Sequence, residues 1–284
     1  LAMSMTFIEK VQRRIRNLRP YHNYLKSKYY KPDPKFNDIR LSETAQSWYD
    51  ELLENGILKI EDTFKWVSDI YNEAYFNQET NEFFLKDLVD DRSEKTGRVF
   101  AKAVSLDDPR LRDWYFNEDL FAVLAKMYQR QPYYRNQPMV QTYAVSDDNE
   151  KDIAGKWHID GGLNQITFML LVNDIDTTGT HMQYALKSTH ETYKELDRNN
   201  IKDEQIENKY EIAHCVGKAG TLYVFQGGLG YHRAVYKPNS TRSVYHANFT
   251  TGHDIKNYHL EKPTLQSNAK DRPFFMKNLA KKII

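Results

Sequence analysis

The chain has a single cysteine, Cys215, so no internal disulfide can form. That excludes a disulfide-stapled scaffold and makes a reducing, cytoplasmic setting the expectation. No apolar run approaches the roughly 20 residues of a membrane span, and no signal peptide is visible. Neither an internal repeat nor a low-complexity segment is found. "LAMS" ahead of Met5 is set aside from fold reasoning. Net charge is nearly absent as well, at +1. It is unevenly spread, however. Residues 1–31 carry eight basic side chains against one acid, Glu9, a local charge of +7 that leaves −6 for the rest of the chain. Such asymmetry predicts an anionic partner for the N-terminal segment.

The 284 residues suit one large domain or two small ones, with a sizeable core. Forty percent hydrophobic and 13% aromatic residues argue against disorder. The 20 tyrosines and 14 phenylalanines suit a β-rich interior.

The first half reads mainly as helix. Phe7, Ile8, Val11, Ile15 and Leu18 form one apolar stripe. "LSETAQSWYDELLENG" has a Ser-x-x-Ala start without a full capping box, and ends on Asn-Gly, a helix stop. "ILKI" follows as a short strand. "EDTFKWVSDIYNEAYFN" and "PRLRDWYFNEDLFAVLAKMYQRQ" are two further amphipathic helices, and residues 77–108 read as loop with short helices. The second half changes character. Runs at 139–145, 165–172, 181–186, 211–216, 220–225, 230–236 and 242–251 are short and rich in β-branched and aromatic residues. Seven such runs predict an antiparallel sandwich or barrel, and helices before strands give an α+β order. The expected organisation is a single domain over 1–284, with 1–135 as mainly helical support, 136–252 as the barrel core and 253–284 as a tail.

The chemistry is carried by "KWHIDGG", residues 156–162. His-x-Asp alone is commonly an ordinary polar turn. Two residues further along the chain give it meaning: His232 lies 74 residues after His158, and Arg242 ten after His232. Two imidazoles and one carboxylate on one face of an iron leave three positions open, enough for a bidentate 2-oxo acid and dioxygen. An arginine supplies a planar fork for the co-substrate's distal carboxylate. Residues two apart in a strand face the same way, so His158 and Asp160 can both point inward from a strand end. His232 and Arg242 are expected on neighbouring antiparallel strands joined by the turn "KPNST".

These pieces carry a family resemblance. "WHID", "GTHMQYALKSTH", "GTLYVF", "GYHRA" and "TRSVYH", in that order, resemble the phytanoyl-CoA dioxygenase family of Fe(II)/2-oxoglutarate oxygenases, as does "ENGILKIEDTF" upstream. The likeness spans most of 50–252. It implies a double-stranded β-helix, a jelly-roll barrel with iron at its mouth, backed by N-terminal helices. His158, Asp160 and His232 would be the iron ligands, and Arg242 would bind the far carboxylate of 2-oxoglutarate. The implied activity is hydroxylation of a C–H bond with Fe(II), 2-oxoglutarate and O2. One departure stands out: Lys187-Ser188-Thr189-His190 replaces the family's frequent Pro-Gly-Ser-His.

Gln141, Tyr143 and Thr167 are further candidates for contact with 2-oxoglutarate or substrate, set against plain packing. His246 shares a face with Arg242. Trp157 is assigned to the core, and His181, His190 and His214 to structural or surface roles. The basic N-terminus and the tail "RPFFMKNLAKKII" suit peripheral contact with an anionic membrane surface, against docking of the stripe on the barrel. In size and basic ends the chain is similar to the enzymes that hydroxylate Kdo, the acidic sugar of lipopolysaccharide. That makes an anionic lipid-linked sugar the substrate expectation. An acyl-CoA, an amino acid, a small metabolite or a non-catalytic jelly-roll binding role stands beside it. Asp160 speaks against a halogenase, which needs a small residue there, and Arg242 would lack a purpose in a zinc hydrolase. No stacking platform for nucleic acid is identifiable, so none is expected.

Overall fold

A computed structural model of the chain describes residues 32–61, 64, 67, 76–77, 82–83, 98–101, 117–130, 132–134, 139–144, 153–160, 165–190, 201–237 and 240–251. The stripe at residues 7–18, most of the "EDTFKWVSDIYNEAYFN" segment and the C-terminal tail lie outside these residues.

Helix α1 (Glu43–Asn55) begins where its sequence says it should. The Ser42 side chain accepts from the Ala45 N–H at 3.1 Å, satisfying one of the donors a helix start leaves over. It stops at Gly56, whose φ of +78° belongs to the left-handed region. A side chain there would also strike Tyr184, since a Cβ would lie 2.6 Å from its hydroxyl. Helix α2 (Glu118–Tyr128) is capped by Asn117, which accepts from the Leu120 N–H at 3.0 Å. Its run of Leu120 to Ala125 is buried throughout. A third, short helix, α3, spans Asp203–Glu207.

The strands are β1 (Ile57–Ile60), β2 (Phe76–Asn77), β3 (Glu82–Phe83), β4 (Arg98–Ala101), β5 (Pro132–Tyr134), β6 (Met139–Ala144), β7 (Ile166–Leu171), β8 (His181–Ala185), β9 (Ile212–Cys215), β10 (Leu222–Phe225), β11 (His232–Val235) and β12 (Thr241–Thr251). All seven expected strands of the second half are present. Among the described residues of the first half, strands stand where loop with short helices was expected. Strands β3 and β4 lie within 77–108, and β1 and β4 form the two edges of the larger sheet.

That sheet runs β1-β10-β7-β12-β6-β4, with β5 also on β12, and the smaller one runs β11-β8-β9. All pairings are antiparallel. Side-chain alternation splits the larger sheet's residues between two cores. Ile166, Phe168 and Leu170 of β7, with Tyr245, Ala247 and Phe249 of β12, pack against Leu52 of α1 and Phe121 and Leu124 of α2. Met169, Leu171, Tyr223, Phe225 and Val244 face the other way and meet Met182, Tyr184 and Cys215 of the smaller sheet. The layers are therefore helices, large sheet and small sheet, and the site sits at one end of the inner core.

One connection differs from expectation. β11 and β12 are not neighbours, because β11 belongs to the small sheet and β12 to the large one. The chain passes from the small sheet to the large one between the end of β11 at Val235 and the start of β12 at Thr241. The crossing is tied down by Thr180, whose N–H donates to Ser240 Oγ at 2.8 Å and whose hydroxyl accepts from the Lys237 N–H at 3.0 Å.

Candidate metal centre

His158 lies in no named strand. It forms an isolated antiparallel bridge with His232, the first residue of β11, each N–H donating to the other's carbonyl at 3.0 Å. Directly bridged residues point to the same face, so the two imidazoles stand side by side, their ring centroids 4.4 Å apart. Asp160 is placed two residues on by its own N–H, which donates to the Gly227 carbonyl at 2.8 Å. One potential ligand atom from each of His158, Asp160 and His232 lies within 4.8 Å of the others.

The hydrogen bonds fix which ring nitrogen carries the hydrogen. His158 Nδ1 is 2.7 Å from the Lys156 carbonyl, and His232 Nδ1 is 3.1 Å from the Gly230 carbonyl. A carbonyl only accepts, so both Nδ1 atoms are protonated in the neutral rings. Both Nε2 atoms thereby present a lone pair to a ligand. His232 Nε2 is 3.6 Å from Asp160 Oδ1.

The second carboxylate oxygen is held from the other side. Gln165 Nε2 donates to Asp160 Oδ2 at 2.6 Å, with Thr167 Oγ1 and Asn248 Oδ1 each 3.1 Å from the same nitrogen. Thr167 Oγ1 in turn donates to Asn248 Oδ1 at 2.8 Å. Gly227 is a close approach: a Cβ there would lie 2.5 Å from Asp160 Oδ2. Burial opposes the charge on Asp160, but the His232 imidazole beside it prevails and holds the carboxyl down to about 2. His232 is shifted the opposite way: burial lowers it, and Asp160 more than offsets this, so it is raised above its ordinary 6.5.

A donor set of two imidazole nitrogens and one carboxylate oxygen, held from behind by carbonyls and an amide, fits a divalent metal with open positions. Ligands about 2.1 Å from an ion and at right angles lie roughly 3 Å apart, so an ion would draw the three atoms inward from a set that now lies within 4.8 Å.

Arg242 is buried on β12, opposite Tyr143 in register, with Gln141 opposite Val244. The side chains of Gln141 and Tyr143 lie outside the described residues. His246, on the same face of β12, is close enough to Asp160 to favour its ionised form. Thr167 is fully buried, and its hydroxyl serves the Asp160 network. Trp157 is in the core as expected, in a cluster with Ile159, Ile206 and Tyr231. His181 and His214 bond to each other at 2.9 Å, and His190 contacts the Glu54 carbonyl at 3.0 Å.

The departure at 187–190 is absorbed locally. Lys187 takes a positive φ of 62°, its N–H donates to the Asn55 carbonyl, and Ser188 Oγ accepts from the Tyr231 N–H. This loop therefore ties the end of α1 to the approach to β11. Burial pushes the Cys215 thiol well above its ordinary range, which removes it as a nucleophile. Gln165 and Asn248 do not stand out in the sequence. Their one signal is parity, since Asn248 shares the face of Arg242 and His246.

Two facing antiparallel sheets with helices behind and a His-Asp-His cluster at one end define a jelly-roll, double-stranded β-helix protein. No family model matches the chain, and no curated protein matches it in sequence. Solved structures do match. EctD from S. alaskensis, in a crystal structure with 2-oxoglutarate and 5-hydroxyectoine, aligns with a TM-score of 0.55 at 13% identity, covering 77% of this chain and 81% of EctD. EctD with bound Fe aligns with a TM-score of 0.52 at 16% identity, covering 80% and 81%. The likeness establishes the fold. Among the described residues no helix is long and apolar enough to cross a membrane.

Proposed function

We propose that this chain is an Fe(II)/2-oxoglutarate-dependent dioxygenase that hydroxylates a C–H bond of a small organic substrate. The observation that carries the reading is the His158, Asp160, His232 cluster, in which carbonyl bonds to both Nδ1 atoms leave Nε2 as the ligand atom of each neutral ring, on a fold shared with a protein solved with Fe and with 2-oxoglutarate. Bound there, iron would supply the oxidising chemistry, in which O2 and 2-oxoglutarate yield succinate, CO2 and a hydroxylated product. The chain's own part is placement. His158 and His232 offer lone pairs fixed by carbonyls, Gln165 steadies the carboxylate of Asp160, and Arg242 offers a buried fork to the distal carboxylate of the co-substrate. Gln141 and Tyr143 sit at register positions beside that arginine and are proposed contacts for the same ligand.

The test is 2-oxoglutarate consumption by the purified chain under Fe(II) and air, followed as succinate, with a panel of candidate substrates. Turnover that needs iron and rises with one substrate is the expected result. Succinate at the no-enzyme rate across the panel, with no metal bound, would remove the assignment.

A lipid-linked anionic sugar such as Kdo is the finer reading, supported by the basic ends of the sequence. Each basic residue near an anionic bilayer contributes about 1 kcal/mol, within a Debye length of roughly 8 Å at physiological salt. The chain is therefore expected to sediment with acidic liposomes at low salt and to be released as salt rises. Failure to sediment with them at low salt would leave the smaller, soluble substrates in possession of the site.

A further inference from the structure

The face of the His158–His232 bridge that turns away from the cluster holds a second constellation. Neighbouring residues on a strand point to opposite faces, so Trp157 and Arg233 lie across from one another behind the two histidines. The Arg233 guanidinium carbon is 4.6 Å from the centre of the Trp157 ring. Each of its three nitrogens has a partner: Nε donates to Gln183 Oε1 at 2.7 Å, one terminal nitrogen meets Asp203 at 2.8 Å and the other meets Glu207 at 2.7 Å. Gln183 is its register partner on β8, and both acids are on α3. The guanidinium is thus fixed by two elements and set over the Trp157 ring of a third.

Packing holds the segment it covers, with Trp157 and Ile159 buried beside Ile206 and Tyr231, while its backbone hydrogen bonds toward β11 are few. Around the two ligand residues, three backbone hydrogen bonds join 158–160 to 227–232: two from the bridge and one from the Asp160 N–H. That is far less than a sheet ladder supplies. Trp157 is 1% exposed, and among the described residues its buried Nε1 has no hydrogen-bond partner, so packing and the cation above its face are what orient it. Whatever fixes Trp157 fixes the next residue, His158, relative to His232.

We infer that Arg233 is a positioning residue of the metal centre, clamping Trp157 against β11 and so setting the spacing of His158 and His232. This rests on the reading of the cluster as a metal site. Outer residues that orient metal ligands are typically worth 10–100-fold in metal affinity.

The experiment is an anaerobic titration of the full chain with Co2+, whose visible bands report ligand geometry. Arg233→Met is expected to weaken Co2+ binding roughly 10- to 100-fold and to shift the bands. Arg233→Lys, which keeps a charge but not the fork, should fall between. Glu207→Gln, changed at the exposed end of the clamp, should move both readouts the same way by less. Ser42→Ala uncaps α1 far from the site, and should lower the melting temperature with Co2+ affinity and spectrum unchanged. Wild-type affinity and bands in Arg233→Met overturn the inference. If that variant does not fold, the same result in Glu207→Gln overturns it. A wild-type chain that binds no Co2+ defeats the metal reading itself, and this inference with it.

Discussion

Asp160→Ala is expected to lose Fe(II) binding and to bring succinate formation to background, with the fold retained. Three protein ligands are few, and the carboxylate is the one that lowers the charge of the centre. The fold should survive because the position is fixed by its backbone, through the Asp160 N–H to the Gly227 carbonyl. His158→Ala should behave alike. Gln165→Leu gives the graded comparison. It keeps all three ligands but releases Asp160 Oδ2, and should cost roughly 10- to 100-fold in metal affinity.

The metal-free protein supplies an independent check on Asp160. Asp160 raises the folded-state pKa of His232 above 6.5. The stability from this pairing is then fully present below pH 6.5 and is lost as pH rises through the raised value. The melting-temperature difference between wild type and Asp160→Ala should therefore shrink from pH 6 toward pH 9. Full succinate formation by either alanine variant would take these residues out of the reaction.

The residues of this centre differ in how legible they are. His158 and Asp160 announce themselves by spacing, and His232 and Arg242 by their distance along a strand-rich region. Gln165 and Asn248 do not, because their meeting depends on the β7–β12 register across 83 residues. Arg233 is equally hidden. Its position next to His232 says only that it points the other way, and its role comes from α3 and Trp157 behind the bridge. The fold divides likewise. Strands such as β7, buried along their whole length, stand out as apolar runs. β4 is concealed because "RVFA" is four residues at a sheet edge inside a polar stretch. "KPNST" has the chemistry of a hairpin turn, yet β11 before it and β12 after it belong to different sheets. Local turn residues fix how sharply a chain bends, and not which sheet the next strand joins.

Arg242 should set the affinity for 2-oxoglutarate and leave that for the metal alone. It is buried on β12, on the face that carries His246, whose influence reaches Asp160. Four residues of strand separate the two, about 13 Å, a span that an extended arginine and a five-carbon diacid can bridge between them. Losing a charge-assisted bond to a buried group costs about 1.5–3 kcal/mol, roughly 10- to 150-fold in affinity. Arg242→Met should therefore raise the half-saturating 2-oxoglutarate concentration by that factor, with the Co2+ constant unchanged. Arg242→Lys should recover part of the loss, since it restores the charge without the bidentate fork. The choice of co-substrate provides the sharper contrast. Wild type should strongly prefer 2-oxoglutarate to 2-oxobutyrate, which lacks the distal carboxylate, and Arg242→Met should lose most of that preference. An unchanged half-saturation with preference intact would mean that the distal carboxylate is bound elsewhere, and that the buried charge on β12 serves the fold.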